Sequence, residues 1–152
     1  MIGSETGVLR LERTFDATAE AVFDAWTNPE VLRRWWAADP SWHDTDAEVD
    51  LRVGGSYRLT MRDPARDAPH TVRGEYREIS RPDRLVYSWQ WELDAGGLGH
   101  ESTVTVQFLQ DGGRTTVVLE HTGLESTESA ERHTHGWEAC LRLLGERVFP
   151  DR

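Results

Sequence analysis

The chain has 152 residues, 38% of them hydrophobic, with 27 acidic residues against 17 basic ones and a formal net charge of −10. That length suits a single domain over residues 1–152 with a real core; no stretch approaches a membrane span, and the negative balance argues against nucleic acid or an anionic membrane as partner, since phosphate neutralisation dominates both affinities. The N-terminal segment lacks a basic stretch followed by an apolar run and Cys140 is the only cysteine, so neither a secretory signal nor an internal disulfide is expected, and the expected location is cytoplasmic.

Residues 8–15 alternate apolar and polar side chains up to Phe15, which is the period of a strand. Thr18 offers a capping oxygen for a short helix over 19–26, whose apolar face holds Val22, Phe23 and Trp26. Asn28 and Pro29 then restart the chain as N-cap and first helical residue, and Val31, Leu32, Trp35 and Trp36 share one side of a second short helix. Residues 37–45 are polar and turn-like, with Pro40, Trp42 and His43 among them.

From there the period is two. A strand is expected over 48–53, broken by Gly54-Gly55, and another over 56–62 with Tyr57, Leu59 and Met61 on one face. A loop over 63–69 follows. Residues 71–79 put Val72, Gly74 and Tyr76 in phase while Ile79 falls out of it, which predicts a bulge near Glu78. After a turn at 80–83, Leu85, Tyr87, Trp89 and Trp91 fall together, and Val104, Val106 and Phe108 do the same beyond a glycine-rich loop at 94–99. Asp111-Gly112-Gly113 is a hairpin turn, and Val117, Leu119 and His121 close the pattern. One apolar and one polar face per strand describes an antiparallel sheet solvated on one side.

Residues 128–149 have helical spacing: His133, Gly136, Trp137, Cys140, Leu141, Leu144 and Val148 share a face, opposite Glu131, Arg132, Glu138, Arg142, Glu146 and Arg147. Such a helix runs roughly 30 Å and needs a broad apolar surface to lie on. The sheet supplies it, so the expected class is α+β.

Reading the faces gives a candidate lining for a cavity between helix and sheet. The strands contribute Tyr57, Leu59, Met61, Tyr76, Tyr87, Trp89, Val106, Phe108 and Leu119; the helices contribute Trp26, Trp35 or Trp36, Trp137 and Leu141. Seven tryptophans exceed the usual share for so small a chain, and they either fill a core or wall a binding pocket. A ligand burying about 300 Å² of apolar area would gain roughly 7 kcal/mol before association costs, enough for micromolar binding.

His121, with Tyr57 and Tyr76, is the weak catalytic candidate: it points with Val117 and Leu119, and His133 heads the helix face, so a histidine pair at a cavity could exchange protons. A hydrogen-bonded core histidine is the commoner outcome. His133 and His135 point to different sides of the helix and no Cys or carboxylate stands at ligand spacing, so no metal is expected. Nucleophile elbows, phosphate loops and dinucleotide fingerprints are missing as well, and no cofactor is expected.

The chain's motifs, taken in order, resemble a known family. They are the opening strand, TAEAVFDAWTNPEVLRRWW from Thr18 to Trp36, Gly54-Gly55 before a strand, Gly74 with REISRPDRLVYSW after it, DGGRTTVVLEHTG from Asp111, and H-x-x-G-W-x-x-C-L-x-x-L from His133. They look like the small bacterial relatives of the C-terminal domain of the activator of the 90-kDa heat-shock-protein ATPase, in the START-like (SRPBCC) superfamily. The resemblance implies a helix-grip fold, in which a curved antiparallel sheet wraps the C-terminal helix over a cavity that two short helices close at one end. It also implies binding of an apolar or amphipathic, lipid- or aromatic-like molecule, with cyclase or hydrolase activity in some lineages. In the eukaryotic namesake a separate N-terminal domain makes much of the chaperone contact, so co-chaperone activity is not expected to carry over. A small-molecule binder, an enzyme and a module modulating a chaperone ATPase stay open, as do monomer and homodimer, given Trp42 and Trp91 at expected surface positions.

Overall fold

The computed structural model describes residues 7–65 and 69–150. Its elements in chain order are strand β1 (Leu9–Phe15), helices α1 (Ala19–Thr27) and α2 (Pro29–Trp35), strands β2 (His43–Val49), β3 (Ser56–Arg62), β4 (Pro69–Ser80), β5 (Arg84–Trp91), β6 (Ser102–Asp111) and β7 (Arg114–Thr122), and helix α3 (Thr127–Arg147). The seven strands form one antiparallel sheet in the order β1-β7-β6-β5-β4-β3-β2, curved around α3. This is the helix-grip architecture expected from the sequence.

The capping chemistry works as the sequence predicts. The Thr18 hydroxyl accepts from the Ala21 amide at the start of α1, and the Asn28 side chain accepts from the Glu30 amide with Pro29 at the first position of α2. For α3 the cap is Ser126, whose side chain accepts from the Ser129 amide. The register shifts between Tyr76 and Glu78, where the out-of-phase Ile79 predicted a bulge.

One strand lies elsewhere than expected. The strand expected over 48–53 is instead β2, His43–Val49, and residues 50–55 form the turn into β3. The turn is closed by Asp50 and Ser56 backbone groups and by the Gly55 amide on Arg52, with Gly54 at φ +86°. Leu51 and Val53, which looked like strand residues, are exposed on it. The true strand is hidden by its composition: Thr45 and Ala47 face inward while Asp46 and Glu48 face water, a charged outer row that suits an edge strand. The loop expected over 63–69 has its residues 66–68 outside the described part, and Pro69 already belongs to β4.

Aromatic rings cluster within the core. Trp26 lies 5.1 Å from Trp35 and stacks on Trp137 at 6.1 Å and 17°, with Phe108 at its edge. Trp35 is fully buried and spends its indole N–H on the Ala25 carbonyl. Behind this stack the space is filled. Near the N-terminal half of α3 it is not.

Candidate functional site

A cavity of about 400 Å³ opens between the middle turns of α3, the ends of β3, β4 and β5, and the segment that follows α2. The alternation of β5 sends Trp89 and Trp91 into it, and the helical spacing of α3 adds His133, Gly136, Trp137 and Cys140 along one stripe. Trp36, Ala38 and Trp42 come from the end of α2 and the chain beyond it, while Met61 and His70 close the side and Arg132 stands at the rim. Trp42 and His70 stack nearly parallel, 5.5 Å apart. Both are half-buried, as are Trp91 and His133, so the cavity reaches the surface. Gly136 makes part of the room. A methyl group added there would meet only Ala38, at 3.9 Å.

The polar groups behind this wall are wired to one another. His133 Nε2 accepts from two indoles, Trp91 Nε1 at 3.0 Å and Trp89 Nε1 at 3.3 Å. That nitrogen must therefore be unprotonated, so Nδ1 carries the hydrogen and donates it to the Ser129 carbonyl at 2.7 Å. His121 uses the opposite tautomer. Its Nδ1 accepts from Trp137 Nε1 at 3.1 Å, so Nε2 donates to Ser102 Oγ at 2.7 Å; that hydroxyl lies 3.4 Å from the Trp89 carbonyl. The two imidazoles stand 5.1 Å apart, both neutral by this bonding. Burial, and then the proximity of His133, pushes the His121 pKa down to about 3. Burial lowers that of His133 as well, against the bond to Ser129. Cys140 donates to the Ala37 carbonyl, and burial pushes its thiol up to about 12, which leaves it a poor nucleophile near neutrality.

The structure distributes the expected lining over three places. Trp36, Met61, Trp89 and Trp137 wall the cavity. Trp26, Tyr57, Leu59, Tyr76 and Tyr87 surround a neighbouring void of only about 10 Å³, which Trp36 also borders. Trp35, Val106, Phe108, Leu119 and Leu141 are buried in the core. Of the acid–base candidates, His121 has both nitrogens engaged and lies behind Trp89 and Trp137, while the Tyr57 hydroxyl donates to the Ser88 carbonyl at 2.6 Å. Tyr76 packs against Tyr57 and Tyr87. Desolvation raises the pKa of all three tyrosines, so each holds its proton. Among the described residues, no three His, Cys, Asp or Glu side chains converge as metal ligands would.

Several wall residues were outside the expected lining. Gly136, His133 and Cys140 belong to the helix stripe already legible by spacing, and Trp91 is in phase with Trp89. Trp42, Ala38 and His70 sit where the sequence reads as loop, and loops have no period to assign a face. Arg132 reads as polar-face by spacing, yet its side chain reaches the cavity rim.

Solved structures share this architecture. A protein of Chromobacterium violaceum superposes with a TM-score of 0.84 over 95% of this chain and 99% of its own, at 23% identity. The AHSA1 protein of Silicibacter pomeroyi does so with a TM-score of 0.76 over 91% and 94%, at 27% identity. The human activator of 90 kDa heat shock protein ATPase homolog 1 is 22% identical over 130 residues, 86% of this chain but 33% of the human protein. This chain thus spans about a third of the length of that relative. Among the described residues no helix is long and apolar enough to cross a membrane. Residues 16–148 match the family model of the activator of Hsp90 ATPase homolog 1-like proteins, and the chain belongs to that family.

Proposed function

We propose that the chain binds a small, flat, apolar molecule in the tryptophan-walled cavity beside the middle turns of α3. The observation that carries this reading is the cavity itself: about 400 Å³, with five indoles on its wall, within the range of small-molecule sites. The indole N–H groups of Trp89, Trp91 and Trp137 are already spent on His133 and His121. A ligand is therefore met chiefly by ring faces, with the Trp36 and Trp42 indoles and the His70 ring as the polar groups among the described residues left to meet it. The reading is that of a binder rather than an enzyme, because the histidines are held neutral as acceptors for tryptophan.

Native mass spectrometry and thermal-shift measurements with a panel of fused-ring aromatics and medium-chain lipids test this. Wild type is expected to retain at least one class, and Gly136→Leu, whose side chain fills the cavity from the helix stripe, is expected to weaken it by about tenfold or more. Equal binding by both proteins refutes the proposal. A second reading follows from the human relative, which is named an activator of the 90 kDa heat shock protein ATPase. If this chain acts likewise, adding it to such an ATPase raises the turnover rate; an unchanged rate removes that reading.

A further inference from the structure

Among the described residues that line the cavity, Arg132 is the only arginine or carboxylate. It is exposed at the rim, and it makes no ion pair among the described residues. That is notable in a chain of net charge −10. Elsewhere Arg58, Arg62, Arg81 and Arg84 each have a carboxylate oxygen within 3.1 Å. Deeper in, Trp89, Trp91 and Trp137 have committed their N–H groups to histidine, so among the described residues a carboxylate meets there only the Trp36 and Trp42 indoles and the His70 ring, and no guanidinium. A charge placed there without a partner is costly. A molecule with one charged end must therefore enter apolar end first and leave its charge at the mouth, beside the guanidinium.

We infer that the cavity selects amphipathic carboxylates, each a flat apolar body with one terminal acid, and that Arg132 holds the acid at the rim. The inference rests on the cavity binding a small molecule at all. The guanidinium fork suits a carboxylate in a bidentate pair. Indole faces would by themselves attract a cation, but the fixed positive charge at the entrance opposes one. Arg132 thus sets specificity, while the indoles supply affinity.

Isothermal titration calorimetry with 2-naphthoate, its neutral amide 2-naphthamide and the cationic 2-naphthylmethyltrimethylammonium separates the possibilities. Wild type is expected to bind the acid about fivefold more tightly than the amide, and the cation most weakly. Arg132→Gln, an exposed helix position, is expected to erase the margin between acid and amide, chiefly by weakening the acid. Raising salt from about 0.05 to about 0.5 M should shrink the same margin. Equal binding of acid and amide, or no effect of Arg132→Gln, overturns the role given to the charge and leaves the cavity reading standing. Preferred binding of the cation also overturns it, by making the indoles a cation cage. Failure of all three probes to bind wild type overturns the inference, and failure of the aromatic and lipid panel as well overturns the cavity reading with it.

Discussion

His133 holds the two β5 indoles in place with a single lone pair, because Trp89 and Trp91 both donate to its Nε2. Replacing it with Phe leaves two N–H groups without that acceptor, which should cost about 1–3 kcal/mol in urea unfolding. Gln, whose carbonyl can accept, should recover part of the loss; equal stability of the two variants would show that the bonds contribute nothing. Gly136 gives the opposite expectation. It lies in mid-helix with open space where a Cβ would go, so Gly136→Ala should raise stability by about 0.5–1 kcal/mol, measured the same way. A decrease would mean that the helix needs its glycine for a reason other than room. Gly74 shows what a required glycine looks like: a Cβ there would lie 1.9 Å from the Ser88 carbonyl oxygen and 2.7 Å from the Tyr57 ring.

Helix α3 begins at a serine cap rather than at the acidic residues that follow it. Ser126→Ala should cost about 1 kcal/mol, and the loss should be felt at the cavity, because Ser129 in that first turn receives the His133 N–H. Thermal melting and ligand affinity measured on one sample would show whether cap and cavity are coupled. At this scale the sequence was legible wherever periodicity was strong. The stripe on α3 and the alternation in β3 and β5 through β7 identified the inward faces of those elements. Legibility failed where composition masked geometry, as in β2, whose Asp46 and Glu48 look like loop and whose neighbours Leu51 and Val53 look like strand. The cavity shows the same division. Spacing identifies which faces point inward, but whether they meet depends on side-chain volumes across the gap. Tyr57, Tyr76 and Tyr87 meet one another and leave about 10 Å³, whereas Gly136 and Ala38 leave a hollow beside Trp36 and Trp89.

Across the whole molecule, the two histidines make stability depend on pH. Both have folded pKa values below the ordinary 6.5, so the unfolded chain binds more protons between those values and about 6.5. Their contribution is complete above about pH 6.5 and is lost as pH falls towards the folded values, about 3 for His121. The slope for one such group cannot exceed about 1.4 kcal/mol per pH unit. Melting temperature should drop between about pH 7 and pH 5, and His121→Gln, which keeps a donor and an acceptor but cannot titrate, should flatten the drop. An identical slope in that variant would assign the effect to other groups. The placement of the tryptophans has one more consequence, and it is optical. Five of the seven indoles border the cavity, and several lie within 5 to 6 Å of another aromatic ring. Absorbed light can therefore pass from ring to ring, so whatever enters the cavity reports its own arrival as a change in the protein's ultraviolet emission, without any label.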